Sequence, residues 1–153
     1  MTVTQERDTA GNRGRSLRRP AVLAWLRLAR VAHKVEQAAA EQVRPFELSL
    51  GQFDVLATAG AQPGLTQQDL ADKLLVTKGN VCQLLDKMQR EGLILRLQDG
   101  RANRVHLTDK GRDLFDEVVP LHENAIARAF TSLSQEEQSQ LHALLSKLDH
   151  ALE

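Results

Sequence analysis

Apolar positions along the chain fall into runs of helical period, broken once by a stretch of strand period. From Pro20 to about Val43, Leu23, Leu26, Ala29 (beside Arg30), His33 and Gln37 follow a three-to-four spacing. Val22, Trp25, Leu28 and Val35 widen that stripe, which predicts a long helix with more apolar face than a surface helix needs. Pro20 suits its first turn and Pro45 ends it. Ser49-Leu50-Gly51-Gln52 reads as a capping box, followed by a helix with Phe53, Val55, Leu56 and Ala59 that stops around residues 60–64. A second box, Thr66-Gln67-Gln68-Asp69, opens a short helix that turns Leu70, Ala71, Leu74 and Leu75 inward. Thr77 caps the next helix, which runs to Glu91 with Val81, Leu84, Leu85 and Met88 inward, and Gly92 closes it.

The period then changes. Leu93-Ile94-Leu95-Arg96-Leu97 is strand-like, Asp99-Gly100 signals a hairpin, and Arg104-Val105-His106-Leu107 alternates polar with apolar. Thr108 caps a long helix carrying Leu114, Phe115, Val118, Leu121, Ala125, Ile126, Ala129 and Phe130, with Pro120 inside it predicting a kink. A third box, Ser134-Gln135-Glu136-Glu137, starts a last helix with Leu141, Leu144, Leu145 and Leu148. The expected fold class is mainly α (α+β). A winged helix-turn-helix lobe over 49–108, with a two-stranded β-hairpin wing, lies between long N- and C-terminal helices over 20–45 and 109–153. Residues 20–153 form a single domain, and 1–19 a flexible arm.

Composition adjusts this picture in three ways. The arm holds Gly11, Gly14 and five arginines with little apolar surface to offset its ordering entropy; contact with DNA and a plain solvated tail both fit it. Overall charge is zero, yet residues 1–34 carry eight basic against two acidic groups, residues 66–108 seven against five, and residues 109–153 four against nine. No apolar run reaches the roughly 18–20 residues of a membrane span and the N-terminus has no signal-peptide core, so a cytoplasmic protein that does not engage membranes is expected.

Two short capped helices joined by a tight turn and followed by a hairpin describe a helix-turn-helix with a wing. A helix fits the DNA major groove with its N-terminal residues at base edges, and a hairpin beside it can place a basic tip in the minor groove. On the helix from Thr77, Lys78, Asn80, Gln83 and Lys87 point away from the core face, and Gly79 permits close backbone approach. Asn and Gln pair with adenine edges, and Lys with guanine or phosphate. Arg101 and Arg104 flank the wing turn, and Asp99 is placed to hold the Arg101 guanidinium. The helix-start residues Thr66, Gln67 and Thr77 complete the expected DNA-binding set. Ordinary solvated surface is the alternative for each of these residues.

The stretch Asp99-Gly100-Arg101-Ala102-Asn103-Arg104-Val105-His106-Leu107-Thr108-Asp109-Lys110-Gly111 resembles the wing signature of the MarR (multiple antibiotic resistance regulator) family: Asp-x-Arg, then apolar-x-Leu-Thr, then Gly. The runs 48–56, 65–71, Glu91-Gly92-Leu93-Ile94 and 133–137 agree in order and spacing, so the resemblance covers about residues 22–148. It implies a ligand-responsive transcriptional regulator, a repressor that binds a palindromic double-stranded operator as a homodimer and is released by a small anionic or phenolic effector. It makes Arg101 the wing-tip arginine and Asp99 its partner. Where the family often has Ser or Thr near the start of the recognition helix, this chain has Gly79 and Asn80, so base preference does not carry over.

Dimerisation also follows from burial. Leu23, Leu26, Leu121, Ile126, Phe130, Leu141, Leu145 and Leu148 on the terminal helices exceed what a lobe of about 60 residues can cover. Cys82, the single cysteine, falls on the recognition helix; it reads as a small inert residue, with a thiol-based redox sensor as the alternative. The five histidines show no metal-ligand spacing, no cofactor is implied, and neither a phosphate loop nor a nucleophile elbow is present, so no enzymatic activity is expected. His33, Trp25 and Arg30 are candidates to line an effector cleft, which the sequence leaves unassigned. An adaptor that binds protein rather than DNA is the competing function; the outward cations favour DNA.

Overall fold

The computed structural model describes residues 19–153. The predicted arm therefore lies outside the described residues, apart from Arg19. Among them, residues up to Gln37 belong to one compact unit and Ala38–Glu153 to a second. The elements in order are α1 (Pro20–Val43), a 3-10 turn (Arg44–Phe46), α2 (Leu50–Ala61), β1 (Leu65–Thr66), α3 (Gln67–Leu74), α4 (Lys78–Arg90), β2 (Ile94–Asp99), β3 (Ala102–Leu107), α5 (Asp109–Ala129) and α6 (Gln135–Ala151). Among the described residues, no helix is long and apolar enough to cross a membrane.

The predicted caps form. Ser49, Thr66 and Ser134 accept from the amides of Gln52, Asp69 and Glu137, whose side chains reach back to complete three capping boxes. Thr66 Oγ1 receives the Asp69 amide, and the Asp69 carboxyl is held below its usual range by hydrogen bonding from the Thr66 backbone N–H and then from the Thr66 side chain. Helix α5 runs on through Pro120 without a break.

The core of the second unit gathers Phe53, Val55, Leu56, Leu70, Val81, Leu85, Met88, Ile94, Val105 and Val118. At the far side of α2, Phe53 stacks against His122 of α5 with ring centroids 4.2 Å apart, and burial there pushes the imidazole pKa down. A three-stranded antiparallel sheet in the order β1-β3-β2 closes the lobe. The expected two-stranded wing forms as the β2–β3 hairpin, and β1, which was not expected, adds a third strand at the β3 edge. Leu65 and Thr66 pair with Val105 and Arg104, and Gly64, at φ +85°, donates its amide to Val105 O at 3.0 Å. Two residues are too few for a period of two to show, and Thr66 also heads a capping box.

A correction concerns Leu75, expected inside but 92% exposed. The chain leaves α3 through a Schellman turn in which Val76 N–H reaches Ala71 O at 3.1 Å and Leu75 N–H reaches Asp72 O at 3.4 Å. That turn needs a left-handed residue, and Leu75 supplies it at φ 53°, which throws its side chain into solvent. Strand β2 passes to β3 through Gly100 and Arg101 as the two central residues, since Asp99 pairs with Ala102. Gly100, at φ +60°, takes the first of those positions, where glycine relieves the strain of a tight hairpin.

The wing is joined to α5 at Thr108. Its amide donates to Leu93 O at 3.1 Å, its hydroxyl donates to Gly92 O at 2.5 Å and accepts from Gly111 N–H at 3.0 Å. Lys110 Nζ adds a bond to Glu91 O at 2.9 Å. The Leu-Thr-x-x-Gly portion of the wing signature is thus the joint that fixes the end of α4 against the start of α5.

Candidate nucleic-acid interface

Helix α4 buries Val81, Leu85 and Met88 on one face, with Leu84 half-buried against Gly51. Spacing of 3.6 residues per turn turns Asn80, Gln83 and Lys87 away from that face, whereas Lys78, three residues before Val81, is open to solvent as the first residue of the helix; all four are exposed. Thr77 is exposed too, with its Oγ1 accepting from Asn80 N–H at 3.2 Å as the cap of this helix. Lys87 sits 3.9 Å from Glu91 one turn along. A surface pair at that distance contributes little, so the ammonium is available to an outside anion.

Three expected roles change. The Asp99 carboxylate does not hold Arg101: its Oδ2 accepts from Arg104 Nε at 2.6 Å, and Arg104 Nη1 donates to Gly64 O at 2.9 Å. Strand parity explains this. Asp99 faces Ala102, and Arg104 lies two residues further along the same face of β3, a diagonal that a long side chain spans. Arg101 belongs to the turn itself, beyond the ladder, and is exposed. Arg104 thus braces β3 to the tip and to the strand edge, while Arg101 is the wing's projecting cation.

Gln67 also turns inward. Its side chain is buried, donating from Nε2 to Cys82 Sγ at 3.0 Å and accepting from Asn103 Nδ2 at 3.3 Å. It links the first turn of α3, the recognition helix and the wing, whereas the sequence suggested an outward-facing residue. Thr66, half-buried in β1, serves as the cap of α3. Gln67→Met is expected to cost about 1 kcal/mol of stability, with coupling of roughly 0.5–1 kcal/mol to Asn103→Ala in a urea-denaturation double-mutant cycle. A coupling of zero would mean that the bridge to the wing carries no energy.

One functional brace was missed in the sequence. Arg96 of β2 donates from Nη2 to Asp86 Oδ1 at 2.6 Å and from Nε to Gln89 Oε1 at 2.8 Å, tying the back of α4 to the wing. The signal was present in the alternation: Arg96 shares a strand face with buried Ile94, and a charge on that face requires a partner. Asp86 and Gln89, three residues apart on α4, supply it. Among the described residues, no cluster of three or more His, Cys, Asp or Glu side chains is arranged to hold a metal ion.

This geometry has close parallels. The MarR family model matches residues 48–106, from the entry to α2 through the wing. An HTH-type transcriptional regulator of Bacillus cereus is 34% identical over 128 residues, covering 82% of this chain and 86% of the relative. The chain belongs to the MarR family. YkoM of Bacillus subtilis, another HTH-type regulator, is 37% identical over 118 residues, 75% of this chain and 73% of that one. Among solved structures, the MepR–DNA complex of S. aureus superposes with a TM-score of 0.74 at 29% identity, covering 86% of this chain and 98% of MepR. A MarR family protein of Mycobacterium tuberculosis in complex with salicylic acid gives a TM-score of 0.65 at 26% identity over 85% and 96% of the two chains. This MarR-family chain is a DNA-binding transcriptional regulator.

Proposed function

We propose that the protein is a cytoplasmic repressor that binds a palindromic operator as a homodimer and is released by a small anionic or phenolic effector. One observation carries the DNA-reading part: Lys78 at the start of α4 and Asn80, Gln83 and Lys87 on its outer side are all exposed, with exposed Arg101 at the wing tip on the same lobe. In this reading α4 enters the major groove, where Asn80 and Gln83 meet base edges, while Arg101 enters the flanking minor groove. Thr77 and Lys87 contact phosphates.

The dimer is supported by apolar side chains exposed on the described helices. Leu23, Trp25 and Leu26 on α1 are exposed, and so, on α6, are Leu144, Leu145 and Leu148. A two-fold pairing through such faces spaces two recognition helices about 34 Å apart, one turn of DNA. Effector release is supported by a cavity of about 410 Å³ at the end of α1 and the start of α2, within the ordinary range for small-molecule sites. Arg44 and Lys87 line it beside a single carboxylate, Glu47, and the two cations suit an anion. The salicylate bound to the mycobacterial relative makes salicylate the first effector to titrate.

Selection of bound duplexes from a random pool tests the reading. A two-fold symmetric consensus supports it, and no enrichment overturns it in favour of a protein-binding adaptor. With the selected operator, Lys87→Ala is expected to reduce the slope of log K against log salt by about one, as one phosphate contact is lost. An unchanged slope removes Lys87 from the interface.

A further inference from the structure

Gly79 lacks a structural reason to be glycine. Of the other glycines among the described residues, Gly64, Gly92 and Gly100 have positive φ, which side chains resist. At Gly60 and Gly111 an added Cβ would fall 2.3 Å from Phe115 Cδ2 and 2.0 Å from Leu93 O, and at Gly51 it would press on Leu84 at 3.3 Å. Gly79 is absent from the positive-φ set, sits in the first turn of α4, and a Cβ there would have only Thr77 Oγ1 for a neighbour, at 4.0 Å. The fold therefore has room for a side chain at 79, and a helix gains from one, since glycine is among the poorest helix formers. Its surroundings point outward: Thr77, Lys78, Asn80 and Gln83 are all exposed.

We propose that Gly79 is a specificity-determining position, at which the bare backbone of α4 meets a base edge of the operator so closely that a Cβ has no place. The inference rests on the DNA-reading role given above and adds a steric term to it. Base pairs whose groove edge projects furthest toward residue 79 are then admitted only because the side chain is missing. Asn80 and Gln83 supply hydrogen bonds on either side, and Gly79 sets how deep the helix seats. A contact made by subtraction of a side chain discriminates between bases, because a clash penalises one edge and spares another.

The test compares wild type, Gly79→Ala and Gly79→Val by thermal unfolding and by titration of two duplexes, the operator selected by wild type and a scrambled one. Gly79→Ala is expected to unfold at the wild-type temperature or up to roughly 4 °C above it. Its operator affinity should fall at least tenfold, further for Gly79→Val, with affinity for scrambled DNA unchanged. Selection with Gly79→Ala should return a consensus altered at one symmetric pair of positions. Unchanged operator affinity overturns the proposal, and so does an equal loss on both duplexes, which would place a phosphate rather than a base against residue 79. A wild-type protein that prefers neither duplex would instead overturn the DNA-reading role itself.

Discussion

Gly111→Ala is expected to destabilise the protein by about 3 kcal/mol, lowering Tm by roughly 6–12 °C in a thermal melt. In an isolated helix the same change is favourable by about 1 kcal/mol, so propensity alone predicts the opposite sign. Packing reverses it. An added Cβ would lie 2.0 Å from Leu93 O and 3.0 Å from Leu93 C, and both atoms are backbone with no rotamer to yield. Helix α5 would have to lift off, and the Thr108 bonds to Gly92 O and Leu93 O would lengthen with it. A Gly111→Ala protein as stable as wild type would mean that the α4–α5 joint does not pack as described. Paired with Gly79→Ala, this gives two glycine substitutions of opposite sign in stability, separated by what a Cβ meets.

The second large effect is on DNA. Arg101→Ala is expected to weaken operator binding by about 1–3 kcal/mol, or roughly 5- to 150-fold in Kd, while sedimentation shows the oligomer unchanged. Arg101 lies in the two-residue turn, outside the strand ladder, so its removal breaks no pair that holds the wing. Arg104→Ala differs: it removes the bonds to Asp99 and Gly64 O, so it should loosen the wing as well as weaken binding. Operator affinity in a gel-shift titration that is insensitive to Arg101→Ala would remove the wing tip from the interface.

The cap residues, the periods of three to four and two, and the Asp-Gly turn were legible because each is a local signal, read within one or two turns of chain. They placed the six α-helices of the described residues to within a few residues, located the wing, and marked Lys78, Asn80, Gln83 and Lys87 as exposed on α4. The family resemblance came from the same local runs. Interactions between elements were not legible in that way. Asp99 and Arg101 are two apart in sequence, which invited a pairing, but the ladder brings Arg104 to the carboxylate. Gln67 looked like surface beside a helix cap until Cys82, 15 residues on, and Asn103, 36 residues on, closed around its amide.

The sequence by itself, then, determined the α-helices and the hairpin, their order, the exposed cations and the surplus of apolar surface on the terminal helices. All of these depend on residue spacing along one helix or strand. Tertiary structure alone decided which arginine braces the wing and which projects, that a third short strand completes the sheet, and that Leu75 rather than a glycine turns the chain between α3 and α4. It also separated the glycine that the fold needs at 111 from the one it does not need at 79. The arginines and the glycines are settled by what a side chain meets across a gap of space, and the third strand and the Leu75 turn by which backbone groups come within hydrogen-bond reach; both exist only once the chain has folded.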